Sequence, residues 1–427
     1  MSIPEKYKVD HLFLLIGENP LPNYVAARTL LQDGGQVYLV FTNQTKFQKN
    51  CLLGVDGLKS FGIKSIEIDL AYYESNAYYI RDIIQKKVQY LTNGKIGLNY
   101  TGGTKAMAVH AYQAIYELRS DTIFSYLDPR KLKMCIEQAR NQPIFFDLRL
   151  NLCLKEIFRL HNKNYWLDKK PPRSTPFFPD AAVDFADFHH SVDKNNKDKT
   201  PLQQWRTWCN EELYPKTKKE NSGRWKNEDE LNSQAPIIIS LARLDQHIIN
   251  ILQQHFNAFD KELCLDLDLV QKKGFESLTH VCEWLDGTWL ENYVLHQIKE
   301  IQAEFAIKES MMSFHIRDST ATYRERFEFD VAFVKGYQLF AISCTTSSSK
   351  ERCKEKLFEA HLRARQLGGD EARVALVCCY DKPDWIKDDM RFAIDDRKIE
   401  VFGRQDLVNL AEGIAEWIER NNQEANA

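Results

Sequence analysis

Residues 96–115 constrain the fold more than any other stretch. Ile96, Leu98 and Tyr100 read as a strand that runs straight into Thr101-Gly102-Gly103-Thr104-Lys105, and Met107, Val109, Ala111 and Ile115 mark a helix that follows at once. Two glycines permit a sharp turn and let backbone amides approach a ligand that a Cβ would hold away. The first amides of the helix lack intrahelical partners, and the helix dipole places partial positive charge there. With the hydroxyls of Thr101 and Thr104 and the ammonium of Lys105, this forms a cradle for an anion, phosphate above all. The spacing is not that of a Walker loop. The competing reading is a plain strand-to-helix turn with an exposed lysine.

Upstream, apolar runs at 11–16, 36–42 and 64–70 alternate with helical patterns at 24–31, 45–53 and 79–91. Continuous apolar strands separated by helices predict a parallel sheet covered on both faces, a Rossmann-like half. Such sheets bind ligands at the carboxyl ends of their strands. The loop at 17–23 (GENPLPN) falls at that edge with the glycine turn, and its Asn19 and Asn23 are either loop caps beside Pro20 and Pro22 or ligand contacts. Segments 122–127 and 132–136 read as a hairpin closing one side. No GxGxxG follows the first strand, so a dinucleotide domain is not expected.

Charge and cysteine usage narrow the class. A net charge of -3 excludes a globally basic nucleic-acid coat but leaves room for a local basic groove. The first eleven residues are charged, and apolar runs such as 237–242 are too short to span a bilayer, so a cytoplasmic protein is expected. The ten cysteines have no CxxC spacing, which argues for reduced core residues and against a zinc site.

The NYTGGTK turn after one strand and the GENPLPN loop after another resemble the CARF family, sensors of cyclic oligoadenylates in type III CRISPR immunity. The resemblance covers about the first 150 residues. It implies a homodimer whose paired loops hold one ring on the two-fold axis. It also implies that Thr101, Gly102, Gly103, Thr104 and Lys105, with Asn19 nearby, bind the activator.

Residues 162–230 change character, with KKPPRSTPFFPD and KNNKDKTP as loop signals. A short helix is expected at 205–213 and a longer one at 236–256. His189 and His190 lack ligand spacing and read as surface loop residues, and the basic run 216–219 as a solvated face. Beyond 283 the pattern sharpens. A helix at 286–305 precedes strands at 313–317, 326–334 and 338–345, a helix at 350–367, a strand at 373–379, and terminal elements at 385–394 and 407–420. Alternation puts Phe327, Phe329, Val331 and Phe333 on one face and Glu328, Asp330 and Ala332 on the other. Carboxylates inside a central hairpin are costly unless paired or metal-bound. The alternative is a solvated sheet face.

This arrangement resembles the PD-(D/E)XK nuclease core. GTWLENYV is similar to its opening helix, offering Glu291, and FEFDVAF to its metal-binding strand, offering Asp330. The expected Glu-x-Lys is replaced by Ser343-Cys344-Thr345, which supplies neither carboxylate nor ammonium. Glu328 can replace the carboxylate, and Lys350 or Lys354 the lysine. The resemblance implies Mg²⁺ or Mn²⁺ held by Asp330 with Glu291 or Glu328.

The expected architecture is therefore α/β: a Rossmann-like CARF domain (1–150), a helical linker region with an insertion (151–280), and a restriction-endonuclease-like α/β domain (281–427). Both resemblances together imply a metal-dependent endonuclease acting on DNA, RNA or both and switched on by cyclic oligoadenylate. The alternative is a sensor whose nuclease fold has lost its chemistry and acts through a partner.

Overall fold

The computed structural model describes all residues except 1–2, 55–56, 129–130, 139–140, 168–169, 191–200, 221, 258–262, 319–325, 395–397 and 424–427. The KNNKDKTP loop, apart from Pro201, lies outside the described residues.

The first sheet contains β1 (Val9–Leu15), β2 (Leu31–Phe41), β3 (Lys64–Asp69), β4 (Ile96–Asn99), β5 (Ile123–Asp128), β6 (Lys133–Ile136) and β7 (Ile144–Asp147). Their order is β3-β2-β1-β4-β5-β6-β7, parallel through β5 and antiparallel beyond it. The short β7 was not expected from the sequence. The chain fills one side of β1 with β2 and β3, then returns to place β4 on the other. The topological switch point therefore lies between β1 and β4, where α/β sheets open a crevice. The first helix begins at Leu21, earlier than the apolar pattern suggests, because Pro22 fits a helix's first turn.

The second sheet contains β8 (Lys163–Tyr165), β11 (Ile307–Asp318), β12 (Arg326–Lys335), β13 (Gln338–Thr345), β14 (Arg373–Cys378) and β15 (Ile399–Phe402), ordered β15-β14-β13-β12-β11-β8. Two further strands, β9 (Ile238–Ser240) and β10 (Cys264–Asp266), pair separately. Helix Trp289–Ile301 covers one face of the second sheet, with Val294 and Ile298 packed among Val331, Phe333 and Ile342. Helix Lys350–Gly368 covers the other, with Cys353, Leu357 and Ala364 in a core that also holds Leu14 and Leu39 of the first sheet and Val25 of the helix Leu21–Leu30. That shared core joins the two halves.

Several expectations are corrected. The predicted helix at 236–256 is β9 followed by helix Gln246–Phe256, which starts where the Asp245 side chain caps the His247 amide. His189 is no surface residue: it is fully buried on helix Pro179–His190, 4.7 Å from the Trp289 ring, and burial pushes its pKa down to about 3. In the basic run, Lys218 packs over Tyr214 and Trp225 and pairs with Asp286. β15 had escaped notice in the sequence. No helix among the described residues is long and apolar enough to cross a membrane. The ten cysteines are free thiols.

Candidate functional sites

The first site stands at the switch point. β1 and β4 are paired with His11 opposite Ile96 and Leu14 opposite Asn99, so the loops that leave their carboxyl ends emerge side by side. A Cβ on Gly102 would sit 2.2 Å from the Leu15 carbonyl oxygen, and Gly103 has φ +76°. Both positions therefore require glycine, one for close approach and one for backbone conformation. Thr104 caps the following helix by accepting from the Met107 amide (3.1 Å) while its hydroxyl donates to the Glu74 carbonyl (3.1 Å). Thr101 Oγ1 accepts from the Leu127 amide (2.7 Å), which ties the turn to β5. Both threonine hydroxyls thus shape the cradle. Lys105 is exposed at its rim.

Asn19 accepts from the Leu21 amide (3.0 Å) and lies 3.2 Å from His161 Nε2. The cradle opens into a pocket of about 580 Å³ lined by Gly17, Asn19, Thr101, Gly102 and Gly103 on one side. Arg365, Gln366 and Gly369, at the end of helix Lys350–Gly368, form the opposite wall. Gly369 approaches so closely that a Cβ there would meet the Asn19 amide nitrogen at 1.7 Å. Burial pushes the His161 pKa down to about 4. Arg365, Gln366 and Gly369 lie more than 250 positions from the glycine turn in sequence, and no local pattern tied them to it.

The second site is a cleft of about 190 Å³ between β12, β13 and helix Lys350–Gly368. Asp330 Oδ2 accepts from the Ser343 hydroxyl (2.8 Å) and the Cys344 amide (2.7 Å), and Lys356 Nζ stands 3.9 Å away. Burial raises the Asp330 pKa, against the pull of Lys356 and the two hydrogen bonds. Glu291, on helix Trp289–Ile301, accepts from the Ser313 hydroxyl, and its pKa is raised well above 4.5 by burial and then by Asp330 and Glu328.

Ser313 marks the point where the faces of β12 depart from simple alternation. Its φ is +50° in mid-strand. β11 and β12 pair on either side of it, Met312 with Val331 and Phe314 with Phe329, but not at Ser313 and Asp330 themselves. Phe327 and Phe329 consequently share the core with Ala332 and Val334, whereas Val331 and Phe333 face helix Trp289–Ile301. The predicted single aromatic face is thus divided at Asp330.

The lysine expectation also changes. Lys350 and Lys354 both pair with Asp389 (2.9 and 3.0 Å). Lys356, two residues on and about 200° around the helix, is the one brought to Asp330. Glu328 pairs with Lys170 (3.0 Å) and lies 3.9 Å from His315.

The carboxylates match the hard oxygen donors that Mg²⁺ and Mn²⁺ prefer, and a divalent cation would offset the burial and repulsion that raise the Glu291 pKa. Among the described residues no three His, Cys, Asp or Glu side chains converge on one ion. If a divalent cation binds here, Asp330 and Glu291 are the carboxylates that would hold it, with water completing its shell.

Because folding raises the Glu291 pKa, its stabilising contribution is complete below about pH 4.5 and is lost as pH rises through the folded value. Glu291→Gln fixes the neutral form. In calorimetry without divalent metal, this variant is expected to melt roughly 2 °C above wild type at pH 8, about 1 kcal/mol, with the gap closing toward pH 4. Equal melting temperatures at pH 8 would show that Glu291 is not under this repulsion.

The fold and sites define a two-part protein, a Rossmann-like ligand cradle joined to an endonuclease-type sheet and cleft. Residues 12–155 match the Card1 CARF domain and residues 279–421 the Card1-like endonuclease domain; the chain is a CARF–endonuclease fusion of the Card1 kind. Two solved structures share the whole architecture. Protein VC1899 from Vibrio cholerae is 14% identical, with a TM-score of 0.68 over 96% of this chain and 98% of that one. Can2 from Sulfobacillus thermosulfidooxidans, solved in complex with cyclic tetra-adenylate, is 17% identical, with a TM-score of 0.67 over 96% and 97%. Comparison with curated proteins returned no match.

Proposed function

We propose that the protein is a metal-dependent endonuclease of type III CRISPR defence, switched on by cyclic oligoadenylate, most simply cyclic tetra-adenylate. The observation that carries this reading is the meeting of Asp330 and Lys356 in one cleft, with the buried Glu291 in the field of Asp330, although the usual Glu-x-Lys is absent. The CARF domain, with its glycine cradle at the switch point, supports the choice of ligand. In this reading the chain is a homodimer, with two cradles facing one ring across a two-fold axis. DNA, RNA or both are the substrate.

Asp330 is held in one orientation by the Ser343 hydroxyl and the Cys344 amide. Burial and neighbouring charge raise the Glu291 pKa, and positive charge in the cleft would lower it. Mg²⁺ or Mn²⁺ bound by Asp330 and Glu291 would acidify a water and neutralise charge on the scissile phosphate. Lys356 offers the ammonium that Thr345 cannot, directed at the same phosphate. Helix Lys350–Gly368 carries Lys356 at one end and the cradle-facing Arg365 and Gln366 at the other, a rigid connection through which ligand binding reaches the cleft. A ligand shifts the cleft only by binding one arrangement better than another.

Lys356→Met is expected to slow cleavage about a hundredfold, the usual effect of removing one transition-state donor. Lys354→Met, which breaks only a pair with exposed Asp389, should stay within about twofold. The reverse ranking would return the catalytic role to Lys354.

A second reading is favoured by one observation: Ser343 donates its hydroxyl to Asp330, so a residue that should hold metal instead occupies a carboxylate oxygen. The protein would then sense cyclic oligoadenylate and act through a partner. The deciding experiment incubates supercoiled plasmid, single-stranded DNA and RNA with the protein, with and without cyclic tetra-adenylate, in Mn²⁺, Mg²⁺ or EDTA. Cutting that needs both activator and metal is the expected result. Tight activator binding without cutting of any substrate would establish the second reading instead.

A further inference from the structure

Lys170 lies outside both matched segments, yet it reaches the carboxylate cluster. Its chain segment is fixed against the sheet three residues later, where Arg173 and Met312 exchange backbone hydrogen bonds of 3.3 and 2.9 Å. Arg173 is itself held by Glu276 (2.8 Å) and lies 3.1 Å from His280 Nε2. From this anchor the Lys170 ammonium stands 3.0 Å from Glu328 Oε1. Burial lowers the Lys170 pKa, and the charges of Glu328, then Glu283 and Glu291, more than offset it. They come from three separate elements: helix Leu278–Glu283, helix Trp289–Ile301 and β12. An ordinary surface ion pair involves one carboxylate and contributes little. An ammonium that serves three, partly withdrawn from water, is a counter-ion for the whole group.

We propose that Lys170, paired with Glu328, is the resident counter-ion of this cluster, and that a divalent cation held by Asp330 and Glu291 competes with its ammonium for the cluster's negative charge. The inference rests on the metal-site reading above. A divalent ion on Asp330 and Glu291 brings like charge beside Lys170, so ion and ammonium cannot both hold the cluster at full strength. The concentration of metal needed to fill the cleft is therefore set by a side chain of the linker region. This also gives the 151–280 segment a direct part in the site.

The test is a calorimetric Mn²⁺ titration of the full chain in three forms: wild type, Lys170→Met and Lys170→Arg. Thermal melting and cyclic tetra-adenylate binding at the distant cradle verify that each variant is folded, and Lys170→Gln replaces any Met variant that is not. The methionine variant is expected to bind Mn²⁺ roughly tenfold more tightly. The arginine variant, which keeps the charge, should stay within about twofold of wild type. Mn²⁺ binding by Lys170→Met but not by wild type would be the same competition in stronger form. Equal or weaker Mn²⁺ affinity in Lys170→Met, with wild type binding normally, overturns the proposal and leaves the metal site standing. Absence of binding in every folded form overturns the metal reading and the proposal with it.

Discussion

Asp330→Asn is expected to reduce activator-dependent cleavage by on the order of 10³-fold while leaving the protein folded and able to bind its activator. Asparagine matches aspartate in shape, and its carbonyl oxygen can accept the Ser343 hydroxyl and the Cys344 amide as Asp330 Oδ2 does. What disappears is the negative charge that faces Lys356 and repels Glu291. Stability and catalysis should therefore move in opposite directions. The buried charge is costly in the empty cleft, so the melting temperature should hold or rise, whereas the reaction loses its central ligand. The measurements are single-turnover cleavage, thermal melting and cyclic tetra-adenylate binding on one preparation. Cleavage within tenfold of wild type would place the chemistry elsewhere in the chain.

The other large effect belongs to the cradle. Gly102→Ala puts a methyl group 2.2 Å from the Leu15 carbonyl oxygen, a backbone atom of a fully buried strand end that cannot swing aside. The turn itself must move, and the amides it presents move with it. Cyclic tetra-adenylate affinity is expected to fall by at least about a hundredfold, with a stability loss on the order of 2 kcal/mol from overpacking. Lys105→Met removes one exposed charge without disturbing the turn and should cost only about tenfold in affinity. Isothermal titration of both variants separates these effects. Equal losses would mean that the turn contributes charge alone and not shape.

The pattern of elements in the first sheet could be read from sequence because parallel strands buried on both faces are continuous apolar runs, and the helices between them carry their own period. The TGGTK turn stood out for a local reason as well, since glycine is needed there by backbone geometry that depends on its immediate neighbours. Glu291 and Asp330 were nominated through family resemblance, in segments whose patterns read as one helix and one strand. Where reading failed, a distant contact had overruled the local pattern. His189 looked like half of a polar pair in a loop, but its helix packs against Trp289, a hundred residues away in the chain. The alternating aromatics of β12 promised one face, but Ser313 on the neighbouring strand divides them.

The sequence by itself determined the parallel strands of the first sheet, the central strands and long helices of the second, and the glycine turn, and it nominated two carboxylates, because each depends on residues within a few positions or on a recognisable segment. Only the tertiary structure decided which lysine meets Asp330. Lys350, Lys354 and Lys356 share one helix, and the helix's rotation against the sheet, set by Cys353, Leu357 and Ala364 in the shared core, sends the first two to Asp389 and the third into the cleft. The same packing brings Arg365 and Gln366 to the cradle, and the pairing of Arg173 with Met312 brings Lys170 to Glu328. Contacts between segments so far apart in the chain are fixed by how whole elements bury their apolar faces, and no local pattern of residues encodes that.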